Sequence, residues 1–91
     1  MSITKKTTEK LIKSAMNRNT HFINSTHHYT IEEITTKGNR TYYRVERYLR
    51  RADFPVYELV AYIVVDSHEC YKSARYIKSY KFCLTFLQIS V

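Results

Sequence analysis

Arg40 to Arg51 reads RTYYRVERYLRR, and the period assigned to this stretch decides what the rest of the chain can be. Five arginines and three tyrosines fall within these twelve residues. Read as a strand, Tyr43, Val45, Arg47 and Leu49 share one face, and Tyr42, Arg44, Glu46, Tyr48 and Arg50 share the other. Read as a helix, Arg40, Arg44, Arg47 and Arg51 line up as one stripe. The strand is preferred, because tyrosine, valine and threonine suit a pleated surface and Lys37-Gly38-Asn39 ahead of them is a turn signal. That choice puts Arg47 on the inner face, where a sheet edge or an acidic partner such as Glu33 or Glu58 must accommodate it.

Outward from this strand, His28 to Thr36 (HYTIEEITT) is rich in β-branched residues and alternates imperfectly, which predicts a hairpin across the 37–39 turn. Ala52 to Pro55 breaks the chain, since proline has no N–H and keeps Phe54 out of helical geometry. Val56 to Val65 is the most apolar run and reads as the central strand, buried on both faces for part of its length. Asp66 and Glu69 fit a capping box ahead of CYKSARYIKSY, predicting a second helix. Its inner side would carry Cys70, Ala74, Ile77 and Tyr80, and its outer side Lys72, Arg75 and Lys78. The final run 81–91 fits a closing strand better than a longer helix. Before the hairpin, Thr7 to Arg18 reads as an amphipathic helix capped by Thr7 or Thr8. Residues 19–27 read as a polar connection anchored by Phe22 and Ile23. The fold class is therefore α+β: one domain over 1–91, a three- or four-stranded antiparallel sheet with helices packed on one face, in the order α-β-β-β-α(-β).

Composition narrows the class of partner. Fifteen basic and eight acidic side chains leave +7 with neutral histidines, a balance that favours polyanions, although ordinary surface charge kept for solubility gives the same count. No apolar run after Met1 resembles a secretory signal or a membrane span, so a cytoplasmic protein is expected. Cys70 and Cys83 make neither a disulfide framework nor a zinc site, and adjacent His27 and His28 would point to opposite faces of a strand. No metal or cofactor is expected.

A helix, three strands and a second helix resemble the layout of double-stranded-RNA-binding domains. That family's Gly-Pro-x-His loop and Lys-Lys-x-Ala-Lys helix start meet only Lys37-Gly38-Asn39-Arg40 and Tyr71-Lys72-Ser73-Ala74-Arg75 here, so no family residue is carried over. In vocabulary, rich in Lys, Tyr, Thr and Ile with a single glycine, the chain resembles the small accessory proteins of T-even-type phages, which tamper with host enzymes or defence systems. That resemblance implies a stoichiometric binder of a host nucleic-acid enzyme or of that enzyme's RNA.

The residues themselves point to RNA or a ribonucleoprotein. Arginine forks suit phosphate oxygens and tyrosine rings stack unpaired bases. The expected surface is Arg40, Tyr42, Arg44, Tyr48, Arg50 and Arg51, extended by Lys72, Arg75 and Lys78. Core packing competes with stacking for these rings and is the stronger expectation for Tyr43, Tyr57 and Tyr62. Two other classes stay open: an inhibitor that uses the same cluster on an acidic host protein, and a small nuclease using His28 with Glu32 or Glu33.

Overall fold

The computed structural model describes residues 3–68 and 72–77. One helix, α1 (Lys5–Met16), precedes five strands: β1 (His21–Ile23), β2 (His27–Lys37), β3 (Arg40–Leu49), β4 (Glu58–Ser67) and β5 (Lys72–Ile77). The strands form one antiparallel sheet in sequence order. The fold is thus α+β as expected, but among the described strands β3 and not β4 is the middle one.

The β2–β3 hairpin follows the sequence reading closely. Lys37 pairs with Arg40 across Gly38 and Asn39, and Gly38 takes φ 59°, the positive angle that a type II′ turn needs at its first central position. The register shifts between Glu33 and Thr35. This bulge carries Ile34 and accounts for the broken alternation of the sequence.

α1 starts two residues before its expected position. The Thr4 hydroxyl accepts from the Thr7 N–H, so Thr4 is the cap and Thr7 is already inside the helix. Leu11, Ser14 and Ala15 are its buried side. The helix lies on the inner face against β1, β4 and β5, so it braces both edges of the sheet. Beneath it Leu11 and Ala15 join Tyr29, Ile31, Tyr43, Val45, Ile63 and Val65 in the main core. Tyr42, Tyr62, Val64 and Ile77 form a smaller buried cluster on the opposite, outer face.

Three expectations need correction. Residues 72–77 are strand, not helix: β4 is buried from Ala61 to Asp66, its backbone needs partners on the side away from β3, and Tyr62 to Ser67 find them in Ile77 to Lys72. Tertiary demand here overrides a sequence that also fits a helix. Asp66, expected as a helix cap, lies in β4. Within the connection 19–27, His21 to Ile23 pair with His28 to Thr30 as an edge strand. Phe22 packs on the core as expected, while Ile23 is exposed. Glu69, Lys78, both cysteines and the run 81–91 lie outside the described residues. No helix among the described residues is long and apolar enough to cross a membrane.

Candidate functional site

Strand alternation places Arg40, Tyr42, Arg44 and Tyr48 on the outer face, yet the structure separates them. Tyr42 is fully buried, so the stacking ring expected there is a core ring. It stands opposite Val64, the partner of Arg75, inside the second cluster. Arg40 Nε lies 2.8 Å from Asp66 Oδ1, and Arg75 Nη2 lies 3.3 Å from Oδ2 of the same carboxylate. The bond to Asp66, then a bond to Tyr42, raises the Arg40 pKa. The carboxylate that the sequence reading assigns to a helix cap thus ties down two of the expected phosphate forks. Lys72 is turned toward the helix, its Nζ donating to the Met16 carbonyl at 3.2 Å, which completes the C-terminus of α1.

Arg44 is exposed, and its cross-strand neighbours are Glu32 and Tyr62. Arg50 and Arg51 are exposed past the end of β3, with Arg50 Nη1 donating to the Asn24 carbonyl at 3.1 Å. The one continuous surface expected from the sequence therefore becomes two clusters at opposite ends of the sheet. At about 3.3 Å per residue, Arg40 and Tyr48 stand roughly 26 Å apart.

The end that holds Tyr48 carries more than the sequence suggested. Tyr48 stacks on His28 with centroids 4.9 Å apart, His28 meets His21 edge-on at 5.1 Å, and Tyr57 meets Tyr48 edge-on at 5.2 Å. These four rings cross the outer face from β1 to the start of β4. Tyr57, expected in the core, is instead 55% exposed. His21 could not be found from the sequence because its place in the row exists only once His21 to Ile23 is recognised as a paired strand, and Tyr57 escapes notice because it reads as part of the buried run 56–65.

Hydrogen bonds join three of the four rings. His28 Nε2 lies 2.9 Å from His21 Nδ1, and His28 Nδ1 lies 2.9 Å from the Tyr48 hydroxyl. With His28 neutral, one consistent arrangement has Tyr48 donating to Nδ1 while Nε2–H donates to His21. Both nitrogens of His28, the residue the alternative nuclease reading would use, are thereby engaged. Among the described residues no three His, Cys, Asp or Glu side chains come together as metal ligands.

On the inner face, Arg47 finds the acidic partner the strand reading required. Its Nε donates to Glu58 Oε2 at 3.0 Å and its Nη1 to the Tyr29 hydroxyl at 3.3 Å. Burial pulls the Arg47 pKa down, but these bonds outweigh it and the net shift is upward. The bond and charge of Arg47 hold Glu58 below the usual carboxylate range. Compared with known protein families, curated proteins and solved structures, the chain finds no match in any of the three.

Proposed function

We propose that the chain is a non-enzymatic binding protein for RNA or a ribonucleoprotein, working in the cytoplasm and holding single-stranded segments against the outer face at the Tyr48 end. The observation that carries this reading is the row His21, His28, Tyr48 and Tyr57, in which each ring lies within 5.2 Å of the next. Every base has a π-face, so a fixed row of rings accepts unpaired bases with little regard to sequence. Arg44 and Arg50, exposed nearby, supply charge for the backbone. The site thus keeps Arg44, Tyr48 and Arg50 from the sequence reading, gives up Arg51, which lines a hollow beside Leu49 on the other face, and adds His21, His28 and Tyr57. The likeness in composition to phage accessory proteins supports a role in neutralising a nucleic-acid-handling enzyme.

Fluorescence anisotropy with a labelled single-stranded RNA and the matching duplex tests this. Tyr48→Ala and Tyr57→Ala each weaken single-strand binding by about 1–3 kcal/mol, and the duplex binds less well. Equal affinity of wild type and both variants defeats the stacking reading. Capture of an acidic protein that survives ribonuclease and is lost in these variants shifts the assignment to an inhibitor acting through the same residues.

A further inference from the structure

The opposite face of the same end carries a different surface. α1 covers the inner face over β1, β4 and β5 but leaves Leu49 57% exposed, and the loop beyond it holds Phe54 at 81% and Val56 at 77%. Large apolar side chains this bare in one neighbourhood mark a contact surface more often than chance exposure. Leu49 stands as a ridge between two hollows. One, of about 410 Å³, lies against Thr26, Arg51 and Ala52, and the other, of about 460 Å³, against His27, Val56 and Glu58.

The walls are set before anything binds. Asn24 Oδ1 accepts from the backbone N–H groups of Thr26 and His27 at 3.0 and 2.8 Å. The Arg50 N–H donates to the Thr26 carbonyl at 3.0 Å, and its side chain reaches the Asn24 carbonyl. The β1–β2 turn and the start of the β3–β4 loop are therefore one pinned unit, which lowers the ordering cost of association.

We infer that this surface, with Leu49, Phe54 and Val56 at its centre and Arg51 at its rim, docks a protein that presents an apolar ridge flanked by carboxylates. Arg47 is buried and paired with Glu58, which leaves Arg50 and Arg51 against Asp53, so the rim calls for negative charge. A second copy is a poor occupant, since each chain carries +7. Nucleic acid is a poorer occupant, because Phe54 is the one ring at the centre of this surface, Leu49 and Val56 offer neither a ring face nor a donor, and the ring row is on the other side of the sheet. The inference stands independently of the RNA reading.

The test uses the full chain and two fluorescein-labelled helical peptides that share a Leu/Phe face, one with Glu and one with Lys at the remaining positions. The Glu peptide binds at least tenfold tighter than the Lys peptide, and Phe54→Ser/Val56→Ser loses at least tenfold of that affinity. The double variant keeps the wild-type circular dichroism and the wild-type affinity for single-stranded RNA. Equal binding of the two peptides overturns the inference, as does a double variant that binds the Glu peptide as well as wild type. Sedimentation that finds wild-type dimers and monomeric variant also overturns it, by showing that the surface serves a second copy.

Discussion

Arg47 and Glu58 share one bond unequally: the arginine side chain is 7% exposed and the glutamate 62%. Removing the glutamate takes the carboxylate from a buried cation that keeps its bond to the neutral Tyr29 hydroxyl, whereas removing the arginine leaves a carboxylate in water. Glu58→Gln therefore destabilises by about 1–3 kcal/mol, more than a surface site would suggest. The same change in an Arg47→Met background costs much less, and chemical denaturation of the four proteins in the cycle reads the difference. His27 lies in the same field. Burial and then Arg47 lower its pKa from 6.5, with Glu58 opposing. The unfolded chain thus takes up this proton first, so stability present above about pH 6.5 is lost as pH falls through the folded value. Glu58, also lowered, from 4.5, has the same sign and adds a second loss further down. A thermal midpoint followed from about pH 8 to pH 3 falls in two stages; His27→Gln removes the upper and Glu58→Gln the lower. An unchanged upper stage in His27→Gln would show that the ring gains no proton on unfolding.

Elements were legible where local chemistry left one option. Lys37-Gly38-Asn39 forces a turn, and two β-branched runs flank it, so the β2–β3 hairpin could be read with its inner face, and Glu58 stood with Glu33 as a candidate partner of Arg47. Gly38 can be tested alone: a Cβ there meets nothing within 4 Å, so Gly38→Ala is penalised only through the positive φ. The expected loss is about 1–2 kcal/mol, read as a lower denaturation midpoint, with RNA affinity at the distant ring row unchanged. No loss would mean that the turn relaxes to another type. β5 was illegible because KSARYI satisfies a helix period as well as a strand, and what decides is the unpaired ladder of β4, a fact about a different segment. β1 was illegible because three residues carry no period. The candidate site inherits both failures: Tyr42 is buried and Arg75 is turned to Asp66 by the sheet that β5 completes, and the imidazole of His21 joins the row only through β1.

At the scale of the whole molecule, net charge and local ion pairs pull in opposite directions, and salt separates them. A chain of +7 repels itself when compact, and ions screen that repulsion beyond about 10 Å at 0.1 M. The contacts of Arg40 and Arg75 with Asp66, and of Arg47 with Glu58, span 2.8 to 3.3 Å, and Asp66 and Arg47 are buried, so screening reaches them least. Moderate salt therefore raises the thermal midpoint. RNA binding responds with the opposite sign, because each phosphate neutralised releases a counterion, giving a slope of about −0.7 in log affinity against log salt for a single strand. Arg44 is exposed on the binding face while its backbone sits in the middle of the described strands, so Arg44→Gln removes about 0.7 from that slope and changes stability by no more than about 0.5 kcal/mol, leaving the midpoint close to that of wild type. If salt lowers both stability and affinity, the carboxylate pairs hold the fold more than the net charge strains it. If Arg44→Gln changes the midpoint and not the slope, Arg44 serves the sheet and the phosphate path lies elsewhere.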